Sequence, residues 1–182
     1  MRFADAIDPC FRNQSVRTLA LAFVALGLQT ATSSVPLPQK FENPRVGISL
    51  RYPAGWFATR RPLTQLVSPA QAAAVASFSL RQRHVDTNCT PRRALARVGS
   101  RGAFIFLLEY SVERKSDFPP RPRHFVLPRK PRDFECLPRT YALLFRDRGR
   151  YFQAHVALGT RASQQTRAAV VAVLDSLVVK PR

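Results

Sequence analysis

Two runs of apolar and polar alternation, set back to back, constrain this chain more than any other feature. Tyr141, Leu143 and Phe145 alternate with Ala142, Leu144 and Arg146, and Phe152, Ala154, Val156 and Leu158 alternate with Tyr151, Gln153, His155 and Ala157. A two-residue period sends successive side chains to opposite faces, so the two runs read as paired strands. Between them, Asp147-Arg148-Gly149 is predicted to be a three-residue hairpin loop with a bulge, Gly149 supplying the left-handed residue. Past Gly159, Ser163 is the expected N-cap of a helix whose Val170, Val173, Leu174 and Leu177 form one apolar stripe. Such a stripe must cover a sheet. The block 140–180 therefore specifies architecture and carries no chemistry of its own.

Upstream, Ile48, Leu50 and Tyr52 share one face of a predicted strand, Pro53 and Gly55 force a turn, and Trp56 opens the next segment. Trp56 reads first as a core plug beside that turn and second as a surface-turn contact that stacks a ligand. Short strands are expected at 65–67 and 74–80. Thr90-Pro91-Arg92 is a helix start, with Ala94, Leu95 and Val98 as a two-turn apolar face ending at Gly99. Residues 102–110 are apolar on both faces, which predicts a central strand with helices above and below. Residues 34–45, polar and Pro-containing, read as an exposed lead-in to a single domain over 46–180.

The length of 182 residues and the 46% hydrophobic content suit one buried core. The charge does not look ordinary: 29 basic residues against 11 acidic ones give +18, almost all of it Arg. A GC-rich coding sequence favours Arg over Lys but does not explain the shortage of acids, so a partner with negative charge is indicated.

Residues 1–33 read as a signal peptide. Arg12 and Arg17 precede an apolar run at 19–28, and small residues follow, with a cut expected after Ser33. The run is short for a membrane span, so an uncleaved anchor is the lesser reading. Asp5 and Asp8 are foreign to a leader, which suggests translation starting at Val16. Of the three cysteines, Cys10 lies in that segment and leaves Cys89 and Cys136, expected to pair in an exported chain. The alternative is a reactive thiol at the helix entry, beside His84 and Asp86 in His84-Val85-Asp86-Thr87-Asn88-Cys89; the spacing fits no zinc pattern.

Between 111 and 139 the periodicity fails. Six prolines (119, 120, 122, 128, 131 and 138) exclude a long helix or a central strand, and Arg114, Lys115, Arg121, Arg123, Arg129, Lys130 and Arg132 are strung among them with Phe118, Phe125 and Phe134. The functional reading is an extended basic arm whose guanidinium forks grip phosphate or carboxylate groups. The plain reading is a solvated loop tethered at Cys136, with Val126 and Phe134 pinned to the sheet edge.

Tyr52-Pro53-Ala54-Gly55-Trp56, the strands after it, and a closing strand, hairpin, strand and helix ending Leu174-Asp175-Ser176-Leu177 resemble the PsbP-like family of small exported proteins. The resemblance covers most of 46–179. It implies an α+β fold, an antiparallel sheet with helices packed on both faces, and a role as an extrinsic or assembly subunit. It carries no catalytic residue. The Cys pair and the basic insertion are not general features of that family.

No phosphate loop, nucleophile elbow, zinc-binding helix motif or CxxC is present, and His84, His124 and His155 have no common spacing. Glu109 and Glu135 alone do not make a paired-carboxylate site. The sequence thus supports an exported module that is not an enzyme and needs no cofactor or metal. It docks on a protein or envelope component, with peripheral membrane contact open and nucleic acid disfavoured for want of any motif. The competing reading is a binder of anionic polymers or lipid headgroups through 111–139.

Overall fold

Strand Ala103–Tyr110 is inward-facing on both sides, with every residue from Ala103 to Glu109 buried, and the rest of the fold is layered on it. A computed structural model describes residues 35–111, 117–134 and 137–182. The leader and its Val16 start, Arg114, Lys115, Glu135 and Cys136 lie outside the described residues. Among those described the order is β1 (Gln39–Asn43), β2 (Ile48–Tyr52), β3 (Phe57–Thr59), β4 (Ala70–Ala76), α1 (Arg92–Leu95), β5 (Ala103–Tyr110), β6 (Arg132–Phe134), β7 (Leu137–Asp147), β8 (Arg150–Leu158), α2 (Gln164–Asp175) and β9 (Val178–Val179). The strands form a six-stranded sheet, β3-β4-β5-β8-β7-β6, and a three-stranded sheet, β1-β2-β9. All the strand pairings are antiparallel.

The two-residue period sorts the core into two. Ile105 and Leu107 on β5, Phe152, Ala154 and Val156 on β8, and Tyr141 and Phe145 on β7 join Val170, Val173 and Leu174 of α2 and Ile48 and Leu50 of β2 in the larger cluster. Phe104, Phe106 and Leu108 point the other way, to Ala94, Leu63, Leu80 and Leu137. Burial of these side chains stabilises the fold by about 1.5–3 kcal/mol each before the entropy of ordering is subtracted.

The second cluster overturns the expected sandwich with helices on both faces. The molecule is predominantly antiparallel β structure in two sheets with two short helices. One face of the large sheet is covered by α2 together with the small sheet; the other is covered by the single turn α1 and by irregular segments that insert one or two apolar residues each, Leu63 and Leu66 from one and Phe78 and Leu80 from another. The physical reason is patterning: a helical stripe recurs over several turns only in α2, while the second cover is broken by prolines and fastened residue by residue.

Smaller departures have local causes. Residues Gln39–Asn43 are a strand paired to β2, with Phe41 and Asn43 buried, where an exposed lead-in was expected. Residues 65–67 form no strand, and Val67 is 87% exposed. The hairpin is a two-residue turn: Arg148 (φ 51°) and Gly149 (φ 75°) are both left-handed, and Asp147 pairs directly with Arg150. That geometry matches the strand twist without a bulge. In α1, Pro91 occupies the N-cap position and no side chain caps the helix, whereas in α2 Ser163 Oγ accepts the Thr166 N–H at 3.0 Å, as its sequence predicted.

Candidate anion-docking surface

The basic insertion does not hang free over its described part, 117–134. Phe118 is buried between Tyr110 and Tyr151, with ring centroids 5.6 Å from each. Phe125 is buried edge-on against Phe145 at 5.1 Å. The segment also joins the sheet by backbone, the Arg121 N–H donating to Arg146 O at 2.9 Å and the Arg146 N–H to Pro119 O at 2.7 Å. Phe134 closes the segment, edge-on to His155 at 5.2 Å. Phe125 thus takes the anchoring place expected of Val126, which is 72% exposed.

Arg121 departs most from its predicted role. Its Nη1 donates to Leu177 O at 2.6 Å and to Asp147 Oδ2 at 3.0 Å, and its Nη2 donates to Asp175 O at 2.9 Å and Leu174 O at 3.3 Å. A cation on the last carbonyls of a helix satisfies acceptors that the helix itself cannot. Asp175 completes the junction: its Oδ1 accepts the Phe125 N–H at 2.8 Å and its Oδ2 pairs with His124 Nδ1. Arg121 is therefore a structural clamp between the insertion and α2.

The remaining described cations of the predicted set, Arg123, Arg129, Lys130 and Arg132, are exposed, and none has a carboxylate partner among the described residues. The reason is the use made of the acids. Glu42 pairs with Lys40, Asp86 with Arg93, Glu109 with Arg150 and Arg182, and Asp147 with Arg121. Asp133 Oδ1 accepts the Arg139 N–H at 2.9 Å. Carboxylates committed to the fold leave the outward-facing guanidiniums uncompensated, which creates a positive surface field.

The other predicted residues fall into the frame. Trp56 is half-buried against the larger cluster, with its backbone N–H donating to Pro53 O at 3.2 Å in the turn held by Gly55 (φ 77°). Phe57, 45% exposed, is the aromatic that this turn presents outward. His84 is exposed, and Asp86 holds Arg93 at 2.7 Å. Cys89 is half-buried at the entry to α1. His155 is buried with Nδ1 3.2 Å from Thr140 Oγ1, and desolvation pushes its pKa down to about 4. No group of three or more potential metal ligands occurs among the described residues. No helix among them is long and apolar enough to cross a membrane.

Glu109 was considered from sequence only as half of a carboxylate pair, and its pairing with Arg150 was missed although the parity of the two residues carries the signal. Both fall on the inward-facing phase of their strands, Glu109 with Ile105 and Leu107, Arg150 with Phe152 and Ala154. Opposite charges on inward positions of neighbouring strand ends are most cheaply explained by each other. No protein-family model, no curated protein and no solved structure matches this chain. The PsbP-like resemblance therefore rests on its two short signatures, and their structural roles are a turn at 53–56 and the α2 junction at 174–177.

Proposed function

We propose that this chain is a binding module, not an enzyme, that docks on an anionic component of the cell envelope through Arg123, Arg129, Lys130 and Arg132. The observation that carries this reading is the division of labour among the charges: the described carboxylates that form ion pairs are engaged by other cations of the fold, while these four cations face outward on a segment fastened by Phe118, Arg121 and Phe125. A fastened segment presents its charges without the ordering cost that a free arm meets on binding. The placement outside the cytoplasm rests on the leader-like residues 1–33 and on the expected Cys89–Cys136 pair.

The test is binding to anionic vesicles, a polyanionic glycan and duplex DNA across a salt series, for the native chain and for a variant with Arg123, Arg129, Lys130 and Arg132 changed to Glu. The expected result is binding to vesicles or glycan that survives about 0.15 M ionic strength and is abolished in the variant. Equal binding to all three that vanishes by that salt would sink the proposal and direct the search to a protein partner.

A further inference from the structure

A groove of about 650 Å³ opens between the end of α1, the start of β7 and the turn leading into α2. Its walls are mixed: Leu95, Val98 and Leu158 supply apolar surface, while Arg139 and Arg167 supply charge. Among the described residues no carboxylate lines it and neither guanidinium has an acidic partner. Arg167 is positioned over the Tyr141 ring at 5.8 Å, with Nη1 3.5 Å from the Tyr141 hydroxyl. Arg139 is held left-handed at φ 53°, its N–H fastened to Asp133. A non-glycine residue in that region is costly and persists only where its surroundings impose it. The base of the groove is equally fixed, because a Cβ on Gly159 would collide with the backbone of Gly99 and Ser100.

A concave site of this size with apolar walls and a few convergent polar groups is the usual form of a small-molecule pocket. We infer that the groove binds a single oxyanion, carboxylate or phosphate, carried on a short apolar stem, with Arg139 and Arg167 holding the head and Leu95, Val98 and Leu158 the stem. Guanidiniums suit such heads because their donors form a planar fork that bonds two oxygens at once. The groove shares no side chain with Arg123, Arg129, Lys130 or Arg132, so this inference stands apart from the docking function proposed above.

Calorimetric titration of the chain with octanoate, octyl phosphate and octanol tests it. One or both anions bind, octanol binds at least about tenfold more weakly, and Arg139→Gln and Arg167→Gln each weaken anion binding by about tenfold or more. Arg45→Gln, which removes the same charge at an exposed position that belongs to neither site, leaves binding unchanged. A preference for octyl phosphate points to a lipid phosphate as the natural head, and one for octanoate to a free acid. Because Arg167 packs on Tyr141, melting curves accompany each variant, and the exposed Arg139 decides the matter if Arg167→Gln does not fold. Octanol binding as tightly as the anions, no binding of either anion, or Arg139→Gln and Arg45→Gln behaving alike would each overturn the inference.

Discussion

Arg150 and Glu109 meet inside the protein in a two-point ion pair, Nε to Oε1 at 2.8 Å and Nη2 to Oε2 at 2.7 Å, with side chains only 4% and 6% exposed. The pair sits where β5 ends and β8 begins. It reaches further than two strands, because Arg150 Nη1 donates to Lys180 O at 3.1 Å and Arg182 Nη2 lies 3.0 Å from Glu109 Oε1. The C-terminal residues are thereby tied to the sheet beside β9. The Arg150 guanidinium also lies 5.1 Å from the centroid of Phe152, so one face of the ion rests on the core.

Removing one partner of this pair strands a buried charge. Glu109→Gln or Arg150→Met alone is expected to lower unfolding free energy by about 3–5 kcal/mol, read as a shift in denaturant midpoint. The double variant Glu109→Leu with Arg150→Met is expected to recover most of that loss, since apolar packing replaces both desolvation penalties. If the double variant were as unstable as the worse single one, burial of the unpaired charge would not be the cause.

Arg121 yields a different prediction from its neighbours in the insertion. Arg121→Ala removes the donors on Leu174, Asp175 and Leu177 and is expected to cost about 2–3 kcal/mol. Arg129→Ala, at an exposed site, should change stability by no more than about 0.5 kcal/mol. Loosening the clamp should also speed limited tryptic cleavage after Arg123, a site that both variants keep. Equal rates of cleavage after Arg123 in the two variants would show that the segment is fastened by its phenylalanines alone.

What could be read in advance was whatever a short window of sequence determines. The alternations at 141–146 and 151–158, the doubly apolar β5 and the Ser163 cap are local properties, and each appears where its pattern placed it. Strand β1 was missed because Gln39-Lys40-Phe41-Glu42-Asn43 buries only two side chains and owes its order to β2, a neighbour that its own composition does not announce. The sandwich was expected because an apolar strand face needs cover, yet the pattern does not say whether a helix or a set of pinned loops provides it. Arg121 was grouped with the other cations for the same reason: its acceptors are backbone carbonyls at 174, 175 and 177, which leave no trace in side-chain chemistry.

His155 makes stability depend on pH in a definite direction. Its side chain is 3% exposed, and burial lowers its pKa from 6.5 to about 4. Between those values the unfolded chain binds a proton that the folded chain does not, so stability falls as pH is lowered through the window. The full effect is roughly 3 kcal/mol. His155→Gln should flatten the pH dependence of unfolding free energy between about 4.5 and 6.5 relative to the native chain. A slope unchanged by the substitution would assign the acid sensitivity to other groups.

The expected Cys89–Cys136 pair can be argued from residues on either side of it. Phe134 and Leu137 bracket position 136 in sequence, and both pack with Ala94 and Leu95 of α1 in the second cluster. Cys89 stands immediately before that helix and is engaged in an interaction. Two chain segments meeting on one small cluster are suitable ends for a cross-link, and among the described residues this face is covered by a one-turn helix and short irregular segments. Closing the loop between them would stabilise the fold by about 4 kcal/mol through the entropy of the unfolded chain. Thiol titration of the denatured, unreduced chain from residue 34 onward should therefore find no free thiol, and reduction should release two. Reduction, or Cys89→Ser, should lower the denaturant midpoint accordingly, with the loss concentrated in exchange protection of α1 and β6. Two free thiols in the unreduced chain, or a midpoint indifferent to reduction, would refute the pairing and leave α1 and the pinned loops to fasten that face.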